Sequence, residues 1–320
     1  MSPLQIPAPP ISGFTLGGFT IHFYAFCVLA GIVVAAWLAR RRFIRRGGEA
    51  DRFDSAIFVI VIVGIIGARL YHVITDNQLY FGPGRDPWQA FNIRNGGLGI
   101  WGGVMLGGLA AWLVCRRYRF DFGSFADVLA PALLFAQAIG RLGNWFNQEL
   151  FGRPTDLPWG LYVDPRYRPE GYESYETFHP TFAYEMVWNT IGGFVLLWAE
   201  RRFKLGRGKL FSCYVLWYTF GRFFIEAVRI DPANHVGGWR VNSYVSVICF
   251  VGALILLIWQ LRRRPGVMLW PFGFAKPGTG LTPARPRADL AGDTGAAEIS
   301  DDTASAGSGD PPDRETVKNP

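Results

Sequence analysis

Long blocks of apolar residues constrain this chain more than any other feature of its sequence. Seven blocks of 19 to 22 residues occur, and an α-helix needs roughly 20 residues to cross the hydrocarbon core of a bilayer. The blocks predict an all-α fold, a polytopic membrane helix bundle with about seven transmembrane helices. Six spans remain an alternative, because glycines or ionisable residues interrupt the third, fourth and sixth blocks. The predicted spans are residues 19–39, 53–72, 97–115, 125–146, 180–199, 210–228 and 241–261.

The placement of Lys and Arg predicts the orientation, because positive residues beside short loops stay cytoplasmic. Seventeen follow the first, third, fifth and seventh spans, whereas six lie in the opposite loops. We therefore expect an outside N-terminus and a cytoplasmic C-terminus. The formal net charge of +7 is spread over four loops as a topology signal, so nucleic-acid binding is excluded. Residues 1–18 lack Lys and Arg, which argues against a secretory signal peptide.

Composition divides the chain into two parts. Residues 1–264 form the predicted membrane-embedded domain, and residues 265–320 read as a disordered cytoplasmic tail rich in Pro, Gly, Ala, Thr and Asp. Four Cys in 320 residues do not make a disulfide scaffold. No His, Cys and Asp cluster has metal-ligand spacing, so we expect no metal and no cofactor.

Ionisable residues inside the apolar blocks are costly, at roughly 2.5–3.5 kcal/mol for an Arg near the bilayer centre, so each needs a reason. One reading is that they pair and hold helices together. Glu226 sits four residues after Arg222 and three before Arg229, so these side chains share one helical face. The other reading is a polar site within the membrane. The set is Arg69, His72, Asp127, Arg141, Glu185, Arg222, Glu226 and Arg229.

The densest polar segment is GRLGNWFNQELFG at residues 140–152. In a continuing helix, Arg141, Asn144 and Gln148 would lie on one face. A guanidinium and two amides suit a phosphate or a glycerol headgroup, although a helix end with snorkelling polar residues is the plainer alternative. The glycines of residues 95–103 match no phosphate-loop pattern, so helix packing through small residues explains them better.

The chain resembles the prolipoprotein diacylglyceryl transferase family over about residues 15–262. Residues 140–152 are similar to the family signature G-R-x-G-N-x-x-N-x-E-x-x-G at every fixed position. Shorter similar segments are IHFY at 21–24, GARL at 67–70, HPTFAYE at 179–185 and YTFGRFFIE at 218–226.

The resemblance implies a bacterial plasma membrane enzyme that moves the diacylglyceryl group of phosphatidylglycerol to a thiol. The acceptor is the lipobox Cys of prolipoprotein signal peptides, and the products are a thioether and glycerol phosphate. In the family, Arg at the positions of Arg141 and Arg222 contacts the lipid phosphate and is needed for activity. The predicted catalytic residues are Arg141, Arg222 and Glu149, and the predicted substrate-binding residues are Tyr24, Asn144, Asn147, Gly152, Tyr218 and Glu226.

One position departs from the family pattern. Many members have a His before the Gly-Gly that opens the third span, proposed as the base for the thiol, whereas this chain has Trp101. Either the base lies elsewhere, with His179 as one candidate, or the reaction needs no dedicated protein base.

Two other classes stay open on the residues alone. A transporter or flippase for an anionic lipid or metabolite would use the same arginines without chemistry, and a membrane scaffold would use them only for structure. An intramembrane serine protease is disfavoured, because no G-x-S-x-G motif is present.

Deleting residues 275–320 is expected to leave lipid transfer intact, because this segment lacks the apolar periodicity needed to pack and lies outside the resemblance. The measurement is transfer of the diacylglyceryl group by the truncated protein at matched expression. Activity below a tenth of the full-length value would contradict the expectation.

Overall fold

Seven long helices make up most of the structure, a computed structural model that describes residues 4–16, 19–93, 96–231 and 235–263. The predicted tail, 265–320, lies outside the described residues. The predicted all-α membrane architecture is confirmed at this level. The helices are α1 (Phe23–Arg45), α2 (Ala50–Thr75), α3 (Ile100–Tyr118), α4 (Phe122–Asn147), α5 (Thr181–Phe203), α6 (Lys209–Val228) and α7 (Val241–Arg263).

Three two-stranded antiparallel sheets accompany the helices in the described part of the chain. The first corrects a predicted boundary, because residues 19–22 form a strand and the first helix begins only at Phe23. Thr20 and Ile21 are β-branched and favour extended backbone, and pairing with residues 13–16 satisfies their backbone groups. The strands are β1 (Gly13–Leu16) with β2 (Phe19–His22), β3 (Leu161–Tyr162) with β4 (Thr177–Phe178), and β5 (His235–Val236) with β6 (Trp239–Arg240).

Four helices of the described chain, α1, α2, α4 and α7, are long and apolar enough to cross a membrane. The third and sixth predicted spans, marked as weak from the sequence, fall below this standard, as does the fifth. Charged residues lower the hydropathy of two of these helices. They are Glu185 and Glu200 on α5, and Lys209, Arg222 and Glu226 on α6. The fourth span qualifies despite its interruptions.

Glycines bring α2 and α3 together. A side chain added at Gly67 or Gly102 would collide with the backbone of the other helix, and Gly64 faces Gly103 and Gly107 across the same seam. Absent side chains allow this close approach. The small-residue packing predicted for this glycine segment is confirmed.

A buried polar junction ties α1, α4, α5 and α6 at the opposite end from the polar segment 140–152. Both carboxylate oxygens of Asp127 accept hydrogen bonds at the start of α6, from the N–H groups of Gly208 and Phe211, each at 2.8 Å. Arg42 donates to the carbonyl oxygens of Asp127 and Val128, each at 3.0 Å, and pairs with Glu200 at 2.6 Å. Asp127 thus satisfies orphan donors of a helix N-terminus.

Asp127→Ala is expected to lower the melting temperature of the detergent-solubilised protein by several degrees. Loss of a cap costs about 1–2 kcal/mol, and the buried N–H groups left without acceptors add about 1–3 kcal/mol. Asp51→Ala is the control, because Asp51 lies exposed in the first turn of α2. Equal melting temperatures for the two variants would contradict this role for Asp127.

Candidate functional site

Three helices each place one charged side chain at a similar distance from the same end of the bundle. Arg141 lies six residues before the end of α4, and Arg222 lies six residues before the end of α6. Glu185 lies four residues after the start of α5. At roughly 1.5 Å of rise per residue, all three are one to two turns inside one end of the bundle.

Glu185 joins the two arginines. Its Oε1 atom is 2.5 Å from Nη2 of Arg141, and its Oε2 atom is 3.3 Å from Nη1 of Arg222. The Glu185 side chain is only 4% exposed. Tyr218, one turn before Arg222, interacts with the guanidinium of Arg141. Two predicted site residues from different helices therefore meet on one buried carboxylate.

A second chain of contacts starts at Arg141 and runs through the signature segment. Nη1 of Arg141 donates to Oδ1 of Asn144 at 3.2 Å. Nδ2 of Asn144 donates to Oε1 of Glu149 at 2.8 Å, and Nδ2 of Asn147 reaches the same oxygen at 3.3 Å. Glu149 thus acts on Arg141 through the amide of Asn144.

Two glycines of the signature allow close contacts with neighbouring segments, Gly143 with Tyr24 and Gly152 with the end of α6. The ring of Tyr24 packs over Gly143, where an added side chain would meet Cδ2 of the ring at 2.5 Å. Gly152 pairs with Arg229 in an antiparallel bridge, and its N–H donates to the carbonyl oxygen of His179 at 2.9 Å. A side chain at Gly152 would come within 2.8 Å of His179 and Val228, so the glycine lets the loop after α4 seat against the end of α6.

Glu226 is fully buried and gathers a second group of cations. The Glu226 carboxylate lies 2.7 Å from Arg222 Nη2, 2.8 Å from Arg240 Nε and 3.8 Å from Arg229 Nη1. Asn242 donates to it at 3.1 Å. The pairing predicted within α6 is confirmed, and Arg240 and Asn242 are partners that sequence spacing did not reveal.

Asp231 extends this network into the loop after α6. It lies 2.6 Å from Nε of Arg229 and 2.9 Å from Nη2 of Arg240. Burial alone would raise the pKa of Asp231, but the hydrogen bonds and charges of the two arginines outweigh it and hold that pKa below its ordinary value. Arginines and carboxylates therefore alternate continuously from Arg141 to Asp231.

Gln148 does not share the face of Arg141, so that part of the sequence prediction is wrong. Helix α4 ends at Asn147, and Gln148 adopts the left-handed conformation with φ of 49°. Its side-chain oxygen accepts a hydrogen bond from the N–H of Asp164 at 2.9 Å. Gln148 therefore anchors the following loop.

The other singled-out residues have structural partners. Arg69 donates five hydrogen bonds to the carbonyl oxygens of residues 89, 90, 92, 96 and 97. Nδ1 of His179 is 3.1 Å from the hydroxyl of Tyr184. Burial lowers the pKa of His179, and the charge of Arg153 lowers it further, so both favour the neutral imidazole. Trp101 is the second residue of α3 and is 41% exposed.

The sequence missed Glu185 as a member of the site. A signal was present, because Glu185 lies inside an apolar block with no basic residue three or four positions away on its own helix. Such an acid must find its partner on another helix. Among the described residues, no group of three His, Cys, Asp or Glu side chains is arranged to hold a metal ion.

Fold and site together define a helical membrane protein in which two arginines from different helices share one buried carboxylate. The sequence profile of the prolipoprotein diacylglyceryl transferase family matches residues 12–259. This chain belongs to that family, and the resemblance drawn from the signature is confirmed.

Named relatives agree with the family assignment. A phosphatidylglycerol–prolipoprotein diacylglyceryl transferase of Cutibacterium acnes is 59% identical over 266 residues, covering 83% of this chain and 90% of the relative. The second such transferase of Streptomyces coelicolor is 46% identical, covering 82% and 83%. That of Corynebacterium efficiens is 49% identical, covering 81% and 83%.

Glu226→Gln is expected to destabilise the protein by about 3–5 kcal/mol, because it leaves buried arginines facing a neutral amide. The measurement is thermal unfolding in detergent. Glu176→Gln is the control, since Glu176 is exposed in the loop after α4. Equal stability of the two variants would show that Glu226 does not hold this end of α6 together.

Proposed function

We propose that this protein transfers the diacylglyceryl group of phosphatidylglycerol to the lipobox cysteine thiol of prolipoproteins. The reaction forms a thioether, releases glycerol phosphate and takes place in the bacterial plasma membrane. Family membership supports the reaction. The observation that carries the assignment of the site is the meeting of Arg141 and Arg222 on Glu185.

All seven helices span the membrane in this proposal, with the N-terminus outside and the C-terminus and tail, residues 265–320, in the cytoplasm. Seventeen Lys and Arg on alternate loops against six on the others support this orientation. It places the ends of α4 and α6 at the outer face, together with the start of α5. The Asp127 and Glu200 junction then lies at the cytoplasmic face.

The thiol sulfur attacks the carbon of the diacylglyceryl group that is bonded to the phosphate oxygen. The carbon–oxygen bond breaks, its electron pair leaves with the phosphate oxygen, and the thiol proton passes to a base or water. A thiol with a pKa of about 8.5 is already a strong nucleophile when ionised. The harder demand is the charge that grows on the leaving phosphate, and arginines in a low dielectric stabilise it.

The contacts that the described residues make leave Arg141 and Arg222 with donors for that phosphate. A guanidinium carries five N–H donors, and the contacts with Glu185, Asn144, Tyr218 and Glu226 use two or three on each arginine. Glu185 holds both planes in place, so the groups are preorganised for the transition state. These contacts support catalytic roles for the two arginines.

The remaining predicted site residues have supporting positions in this proposal. Asn144 and Glu149 orient Arg141, and the second oxygen of Glu149 is available for a headgroup hydroxyl. Tyr218 packs beside Arg141, and Glu226 orients Arg222. Tyr24 covers the signature at Gly143, Asn147 steadies Glu149, and Gly152 lets the outer loop approach α6.

Trp101 is not the base for the thiol, since an indole N–H only donates. Trp101→Phe is therefore expected to keep most of the transfer activity, because an aromatic ring of similar shape persists. The measurement is the initial rate of the purified, folded variant. Abolished turnover would assign Trp101 a polar role in the reaction.

Arg141→Lys is expected to be markedly impaired in transfer, and Arg141→Ala more so. Loss of a donor to the leaving phosphate costs roughly 100- to 1000-fold in rate if it resembles loss of an oxyanion donor, and Lys keeps the charge without the planar fork. Arg85→Ala is the matched control, because Arg85 is exposed in the loop after α2. Folded Arg141→Ala with more than half the wild-type rate would contradict the site assignment.

Release of glycerol phosphate from headgroup-labelled phosphatidylglycerol tests the function itself. The purified protein is given a lipobox peptide, with its Cys→Ser version as the control. We expect release only with the Cys peptide. A transporter or flippase would leave the lipid intact with both peptides, and that result would overturn the proposed reaction.

A further inference from the structure

A polar cavity lies beside Glu226, near the C-terminal end of α6. Its volume is about 410 Å³, and its charged lining consists of Arg153, Arg229, Arg240, Glu226 and Asp231. Glu226 contacts Arg222 at 2.7 Å and also lines this cavity. The cavity and the arginine site therefore share the Glu226 side chain.

The two carboxylates of the cavity are already matched by cations. Glu226 and Asp231 each contact both Arg229 and Arg240. Among the described residues, the guanidinium of Arg153 has no ion pair. Three arginines against two carboxylates leave one net positive charge in the lining, and it resides on Arg153.

The backbone of Arg153 is fixed although its side chain is exposed. Its N–H donates to the carbonyl oxygen of Val228, and its carbonyl oxygen accepts from the N–H of His179, each at 2.9 Å. Both partners belong to elements that border the cavity or the site. These backbone hydrogen bonds fix the point from which the Arg153 side chain extends, at the edge of the cavity that it lines.

We propose that this cavity binds glycerol phosphate after it has left the reacting centre, with Arg153 recognising the phosphate. The inference rests on the proposed transfer reaction, which releases that product. A phosphodiester headgroup carries one negative charge, whereas a phosphomonoester carries about 1.5 to 2 at pH 7. The unpaired charge of Arg153 therefore favours the product over the headgroup of the intact lipid.

Binding in the cavity also keeps glycerol phosphate away from the reacting centre, and this disfavours the reverse reaction. Glycerol phosphate has no apolar chain to keep it beside Arg141 and Arg222, while the alternating arginines offer N–H donors from Arg222 outward. The cavity adds the unpaired charge of Arg153, which attracts glycerol phosphate away from Arg141 and Arg222 and toward the outer aqueous phase. Arg153 is in this sense a product-binding residue and takes no part in bond breaking.

Equilibrium binding of labelled glycerol phosphate to the intact, detergent-solubilised protein tests this inference without lipid or peptide. We expect wild-type protein to bind it and Arg153→Gln to bind about three- to tenfold more weakly, as for loss of one ordinary hydrogen bond at an exposed side chain. Arg85→Gln, which removes an exposed charge from a different loop, is expected to bind like the wild type. Equal binding by Arg153→Gln and wild type, or equal weakening by Arg85→Gln, would overturn the proposal.

Competition with two unlabelled compounds distinguishes a product site from a headgroup site. Glycerol phosphate is expected to displace the label at lower concentration than glycerophosphoglycerol, the diester headgroup without its acyl chains. Equal displacement by the diester would make the cavity a headgroup site and contradict the inference. Transfer assayed on the same preparation tests the proposed function separately, so failure of binding with intact transfer would refute this inference alone.

Discussion

The shared contact of Arg141 and Arg222 with Glu185 is the interaction on which the arrangement of the outer half of the bundle depends. Charges at this depth are costly unless they are paired and hydrogen-bonded. One carboxylate that is 4% exposed faces guanidinium groups from α4 and α6. Because both arginines share this carboxylate, the ends of three helices converge, and their convergence builds the site.

The pairing of buried charges continues beyond the contact with Glu185. Glu226 is fully buried and draws in Arg229, Arg240 and Asn242, and Asp231 pairs with Arg229 and Arg240 in turn. Each acid is shared between cations on different elements, so removing one acid takes a partner from at least two arginines at once. Stability and function are therefore coupled here, and activity measurements on this network need a fold control.

The sequence predicted the helices and much of the site because its strongest signals, apolar length and the signature, lie within short segments. Apolar length located every end of the seven helices to within six residues, and the signature placed Arg141, Asn144, Asn147 and Glu149 together. The first helix began later than predicted because residues 19–22 pair with residues 13–16, a contact that hydropathy does not encode. Gln148 was misplaced because a left-handed turn ends α4 one residue earlier.

Contacts between helices were the part that the sequence could not supply. Spacing revealed the pair of Arg222 and Glu226 on one helix, but Glu185 with Arg141 and Arg240 with Glu226 join residues 44 and 14 positions apart. Arg240 was counted only as a loop charge, and Glu185 only as an unexplained acid. Their roles follow from tertiary packing, which places partners with no fixed sequence interval.

Donor counts separate the arginines that hold the fold from those suited to bind a ligand. The five N–H donors of Arg69 meet five backbone carbonyl oxygens, so none remains for another partner. Arg42 is nearly as fully engaged, with Val128, Asp127 and Glu200. Among the described residues, Arg141 and Arg222 instead keep donors free beside buried acids that orient them, and Arg153 has no ion pair. Sequence hydropathy scores all of these arginines alike, and only the accounting of donors shows which of them an anion can still approach.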